Sequence, residues 1–313
     1  MKKLLFSLFT ALCAISFFAA CKDEEETPKP KNIVELAQAD ANLSTLTAAL
    51  QRADLVATLS GTGPFTVFAP TNAAFSDLLK ALNFSKLEDV PVATLKSILL
   101  YHVVSGDVRA AQINTGYVNS LSPFGSSTAT VSLYLEKGTG VKINKDVSVT
   151  TADIVASNGV VHVVDKVILP PTVVNHALNN ANFSSLVAAL TRADLGVNYV
   201  QILSGTGPFT VFAPTNAAFT ALLTELNLPN LAAIPVNTLN AVLQYHVVQG
   251  ANVRAAQLTN GQQVTTFGGG KFTVNTTGGA KITDAKNRVS NIVVTDVQAT
   301  NGVVHAIDKV ILP

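Results

Sequence analysis

One block of this sequence occurs twice, and that repetition limits what the chain can fold into. Gly63-Pro64-Phe65-Thr66-Val67-Phe68-Ala69-Pro70-Thr71-Asn72-Ala73-Ala74-Phe75 returns unchanged from Gly207 to Phe219. Tyr101-His102-Val103-Val104 returns from Tyr245 to Val248, so both blocks recur after 144 residues. Asn158-Gly159-Val160-Val161-His162 returns from Asn301 to His305, and Asp165 to Pro170 from Asp308 to Pro313, both after 143. A period this long, with its blocks in one order, means two whole domains rather than a stack of short repeats. Each copy is long enough to bury its own core.

The first residues read as an address. Lys2-Lys3 precede an apolar run from Leu4 to Ala20 that ends in Ala19-Ala20-Cys21, the pattern of a secretory signal over 1–20. The run is short for a membrane span. Cys21 resembles the cysteine of the bacterial lipoprotein box, although Phe18 stands where Leu is usual. That resemblance implies a lipidated Cys21 and a mature chain without thiols, because Cys13 leaves with the signal. Residues 21–31, rich in charge and proline, cannot bury apolar surface and read as an extended tether. Lys22-Asp23-Glu24 also resembles the acidic export signal of Bacteroidetes-type surface lipoproteins, which implies display on the outer membrane. A solvated spacer explains the same residues.

Without Lys2 and Lys3 the 21 Lys and Arg become 19 against 20 Asp and Glu, and no basic run occurs. Nucleic acid is therefore not an expected partner. Charged residues are 13% and apolar ones 48%, which predicts filled cores under rather neutral exteriors.

Within copy one, Leu43, Leu46 and Leu50 fall at helical spacing. A Gly-Pro break precedes a short strand from Phe65 to Ala69. Thr71 is placed to cap a helix whose Phe75, Leu78, Leu79 and Leu82 share a face, matched by Phe219, Leu222, Leu223 and Leu226. Pro91 and Pro235 open further helices, with Leu95, Ile98, Leu99 and His102, and Leu239, Val242, Leu243 and His246, on the inner side. The period then changes to two. Val131, Leu133 and Leu135 alternate with Ser132 and Tyr134, and Val160 to Val164 is apolar on both faces, as a central strand should be. Helices first and strands later predict an α+β domain at 32–170 and again at 171–313, joined by the short, stiff Leu169-Pro170-Pro171-Thr172.

These blocks resemble the fasciclin family: Phe65 to Phe75 its first signature, Tyr101-His102 its central motif, and Asn158 to Pro170 its second. The resemblance covers nearly all of the mature chain. It implies two tandem domains, each a wedge of β-strands with several small packed helices, and a role in extracellular adhesion to protein or matrix partners. In animal members an Asp-Ile pair just before the second signature has been linked to integrin binding. Asp153-Ile154 holds that position here and Asp296-Val297 its counterpart. Only the location carries over, and a loop acid beside a core isoleucine is the alternative. With Tyr101, His102, Tyr245 and His246, these four are the candidate partner-contact residues.

The chemistry of catalysis finds no foothold in the sequence. Four of the five histidines lie on apolar helix faces (His102, His246) or inside apolar strands (His162, His305), where a backbone-bonded imidazole is the expectation. A paired-histidine metal site lacks a third ligand at ligand spacing. Gly268-Gly269-Gly270-Lys271 lacks the first glycine of a phosphate loop and has Phe272 where Ser or Thr would hold magnesium. No Gly-x-Ser-x-Gly elbow occurs. Asn42-Leu43-Ser44 and Asn182-Phe183-Ser184 fit a glycosylation pattern but read as helix caps. The expectation is a non-enzymatic surface module without metal or cofactor. A glycan-binding lipoprotein serving polysaccharide uptake is the alternative, weakened by five Tyr and no Trp.

Overall fold

The structure is a computed structural model. It describes residues 29–313; the expected signal, Cys21 and the expected tether up to residue 28 lie outside the described residues. Copy one comprises α1 (Ile33–Ala39), α2 (Ser44–Arg52), α3 (Val56–Leu59), β1 (Phe65–Pro70), α4 (Asn72–Ala81), α5 (Val92–Tyr101), β2 (Val103–Ser105), β3 (Gly116–Pro123), β4 (Thr130–Lys137), β5 (Val141–Ile143), β6 (Val147–Ala156) and β7 (Gly159–Val164). Copy two repeats the order as α6 (Val173–Asn179), α7 (Ser184–Leu190), α8 (Tyr199–Ser204), β8 (Phe209–Pro214), α9 (Asn216–Glu225), α10 (Val236–Tyr245), β9 (Val247–Gln249), β10 (Gln263–Thr265), β11 (Lys271–Asn275), β12 (Lys281–Thr283), β13 (Val289–Ala299) and β14 (Gly302–Ile307). This is the α+β tandem that the sequence predicts.

Local chemistry sets the helix starts. Asn32 accepts from the Glu35 N–H while the Glu35 carboxylate accepts from the Asn32 N–H, a closed capping box on α1. Thr71 and Thr215 cap α4 and α9 as expected, accepting from Ala74 and Ala218 N–H. Asn42 and Asn182 are not the caps; Asp40 and Asn180, two residues earlier, accept from their N–H groups. Asn72 ties α4 to α2, accepting from Thr45 N–H and donating to the Ala41 carbonyl. Leu43, Leu46, Leu50 and Phe75 are buried, each such side chain contributing about 1.5–3 kcal/mol. Leu82 and Leu226, expected on the inner stripe, are about two-fifths exposed, because α4 ends at Ala81 and α9 at Glu225.

The buried strand β7 lies parallel to β1 and antiparallel to β6. Gly159 is required there: its φ is +150°, and a Cβ would stand 1.9 Å from the Phe65 carbonyl oxygen. In copy one the strands close into a barrel through the β2–β3 pair Val104↔Ser120. Copy two is an open sheet ordered β10-β11-β12-β13-β14-β8-β9. Hairpin length explains the difference. Beyond the Asn119–Ser132 pair copy one runs on through residues 120–131, whereas copy two crosses from Thr265 to Lys271 through 266–270.

Residues 31–313 form one compact unit. Side chains lock the copies together. Tyr117 of β3 accepts from the Asn180 amide at 3.1 Å, meets His176 edge-on at 5.5 Å and packs on Tyr134 at 5.0 Å. The Gln298 N–H donates to Ser132 Oγ at 3.1 Å. Alternation alone puts Ser132 and Tyr134 on a polar outer face; both are buried, because copy two covers that face.

Candidate functional site

The Tyr-His pairs are interior fasteners. Tyr101 and Tyr245 are fully buried, and their hydroxyls donate to the carbonyls of Ser132 and Lys271, tying α5 and α10 to the strands. Tyr101 also accepts from the Asn144 amide, and burial holds its phenol well above the ordinary range. His102 donates through Nδ1 to the Ile98 carbonyl at 2.7 Å and accepts through Nε2 from Ile168 N–H at 2.9 Å. His246 repeats this with Val242 and Ile311. Both ring nitrogens are thereby occupied, and burial lowers both pKa values to about 4. These four candidates are out of reach of a partner: the helical inner face that carries them is covered.

His162 and His305 are bound in the opposite tautomer. Their Nε2 atoms donate to the Val108 and Val253 carbonyls at 2.9 Å, and Nδ1 accepts from Asp153 or Asp296 N–H. Asp153 Oδ1 lies 4.0 Å from His162 Nδ1, but that nitrogen is an acceptor here, so the two do not form an ion pair. The rings stack on Phe68 and Phe212. A metal would need one of the lone pairs that the backbone already takes. Among the described residues no three His, Cys, Asp or Glu side chains gather as a ligand set.

Asp153 and Asp296 sit in register shifts of β6 and β13 with left-handed φ of 61° and 59°, a conformation Asp tolerates better than most residues. Each carboxylate accepts one backbone N–H, from Ala110 or Ala255. The Asp153 side chain is 41% exposed. Ile154 is half-buried against the core and Val297 is buried, so neither apolar member of the expected pairs faces solvent. The exposed neighbour is Val155, 61% accessible, whereas its counterpart Gln298 is 1% accessible beneath copy one. Copy one thus presents Asp153 and Val155 together; in copy two the same stretch is built into the joint.

Beside this stretch Arg109 makes a two-point contact with Asp107 at 2.5 and 2.6 Å, and those bonds hold the Asp107 carboxyl below its usual range. The main residues that sequence reasoning missed are Asn158 and Asn301. Asn158 accepts from Ile33 N–H and donates to the Leu59 and Gly61 carbonyls, and Asn301 repeats the pattern. Their place in the repeated block was the signal.

The comparisons agree with this geometry. A profile of the fasciclin domain matches residues 41–170 and 181–313. Protein sll1483 of Synechocystis is 45% identical over 153 residues, 49% of this chain and 81% of that protein. Transforming growth factor-beta-induced protein ig-h3 of Sus scrofa is 30% identical over 82% of this chain, a match spanning only 35% of that longer protein. In fold, the chain is similar to a FAS1 domain pair from the insect cell adhesion molecule Fasciclin I, with a TM-score of 0.51, 18% identity, and coverage of 87% of this chain and 97% of that one. The chain belongs to the fasciclin-domain family, as a tandem pair of its domains.

Proposed function

We propose that this chain is a non-enzymatic cell-surface interaction module that binds extracellular protein or matrix partners. One observation carries the reading. The repeated histidines His102, His162, His246 and His305 and the tyrosines Tyr101 and Tyr245 are occupied inside the fold, while Asp153 and Val155 stand outward on copy one. Strain and exposure at a register shift suit a contact site better than a packing site. The structural neighbour reported above, a domain pair from an insect cell adhesion molecule, supports the same direction. The pair Asp153 and Val155, with half-buried Ile154 setting the strand register beneath them, is the proposed contact.

The proposal includes a location outside the cell on a lipid anchor, a reading that rests on the 1–20 signal pattern and Cys21 of the sequence. No helix among the described residues is long and apolar enough to cross a membrane. The bacterial relative reported above comes from Synechocystis, so the Bacteroidetes-type export reading rests on Lys22-Asp23-Glu24 alone. Glycan binding is disfavoured by the tyrosines: four are buried and Tyr117 lies in the joint, leaving no tyrosine platform for a sugar ring.

Binding of the full chain to a panel of purified extracellular matrix proteins and to a glycan array tests this directly. Saturable capture of a protein, weakened by Val155→Glu, is the expected result. Saturable sugar binding with no protein captured would overturn it. Lipid labelling that persists in Cys21→Ala would refute the anchor.

A further inference from the structure

Three linked differences between the copies fall at one place. Copy one has Asp107 where copy two has Asn252, and Val155 where copy two has Gln298. Copy one also has the long hairpin 120–131. In copy one Asp107 neutralises Arg109 at two points. In copy two Asn252 and Gln298 pair with each other instead, amide to amide, at 2.9 and 3.2 Å. Arg254, the counterpart of Arg109, has no such two-point carboxylate and keeps only a longer ion pair with Asp296. Its nearest acid, Asp296, stands 3.6 Å from Nη2, beyond hydrogen-bond distance, and Asp296 Oδ1 already accepts from Ala255 N–H. Arg254 Nε is buried and has no hydrogen-bond partner among the described residues.

This under-bonded guanidinium lines a cleft of about 410 Å³ between the copies. The hairpin tip of copy one supplies Phe124, Ser127, Thr128 and Ala129, and copy two supplies Asn252, Arg254, Ala256 and Gln257. Arg254 is the one charged residue in that lining. Because only copy one carries the long hairpin, the cleft exists only where both copies meet.

We propose that this cleft binds a glutamate or aspartate side chain on an acidic segment of a partner protein, with Arg254 holding the carboxylate. A guanidinium fork matches one carboxylate, and the wall offers no second cation of the kind a phosphate would call for. Amides and hydroxyls around Arg254 suit the peptide groups on either side, and half-buried Phe124 offers an apolar floor. The inference rests on the reading of the chain as a protein-binding module, and names the chemistry of its ligand at a second place.

Calorimetric titration of the full chain with acetyl-Gly-Glu-Gly-amide, its Gln counterpart and acetate tests the site. The Glu peptide binds saturably, and the Gln peptide binds about tenfold more weakly or worse, a loss of roughly one charge-assisted contact. Arg254→Gln abolishes the preference, Arg109→Gln preserves it, and added salt weakens it. Should Arg254→Gln misfold, Ala256→Glu decides, because a carboxylate built into the cleft competes with the ligand. Equal binding of the two peptides, no binding at millimolar concentration, acetate binding as well as the Glu peptide, or full affinity in folded Arg254→Gln or Ala256→Glu overturns the proposal. A chain that captures a matrix protein through Val155 yet ignores the Glu peptide loses this inference alone. One that binds the peptide but no matrix protein loses the other.

Discussion

Replacing Asn158 by alanine removes more than one side chain's worth of order. Its Oδ1 accepts from Ile33 N–H at 3.0 Å, the first residue of α1, and its Nδ2 donates to the Leu59 and Gly61 carbonyls at 2.8 Å. The Ile33 and Leu59 contacts are buried and the Gly61 contact is partly so. A satisfied hydrogen bond contributes about 1 kcal/mol net, and a buried group left without its partner costs about 1–3 kcal/mol. Two buried orphans and one half-buried one therefore put Asn158→Ala at about 3–5 kcal/mol, a large share of a typical folding free energy. Asn301 makes the same three contacts at 2.8–2.9 Å, but two are half-buried and the Gly205 contact is exposed, so water replaces part of the loss. Asn301→Ala should cost about 1.5–3 kcal/mol. Urea unfolding followed by circular dichroism reads both. Equal losses, or a loss below about 1 kcal/mol at Asn158, would refute the assignment of these residues as buried cross-links.

Further outcomes follow from the same structure. Burial keeps His102, His176 and His246 neutral in the folded chain down to about pH 4, whereas unfolded histidine protonates near pH 6.5. Between those values the unfolded state binds more protons, so stability is full above pH 6.5 and falls toward pH 4, by an amount of order 2–3 kcal/mol per ring; urea melts at pH 7, 5.5 and 4.5 measure it, and a flat profile contradicts it. Gly159→Ala drives a Cβ into the Phe65 carbonyl and prevents copy one from folding, seen as loss of its share of the helical signal. Tyr117→Ala removes the Asn180 bond and the His176 ring contact of the joint, and the Tyr134 contact within copy one, costing about 2–3 kcal/mol and splitting the calorimetric transition in two. A single unchanged transition would show that the joint is held elsewhere.

The duplicated blocks made the two domains, their helix caps and the central strands legible, because those features depend on neighbours in sequence. What was not legible depends on distant pairing. Tyr117 and Tyr134 lie outside the repeated blocks, and nothing local says that a second domain covers them. Alternation places Ile154 and Val155 on opposite faces, but the register shifts around Asp153 decide which side chain emerges, and a bulge cannot be read from period two. Tyr101 and His102 looked like candidate contacts because their type is chemically versatile; the same versatility fits them for buried cross-links. Arg254 could have been found from the two copies alone, by asking which arginine keeps its acid.

The central claim is that imidazoles hold this fold while the outer edge of copy one meets partners. Matrix-protein capture measured together with thermal melting, for the native chain, Val155→Glu and His162→Ala, tests it in one experiment. Val155→Glu should lose capture at unchanged melting, and His162→Ala should lower melting with capture retained while it stays folded. Lost capture at unchanged melting in His162→Ala, with Val155→Glu indifferent, would contradict it.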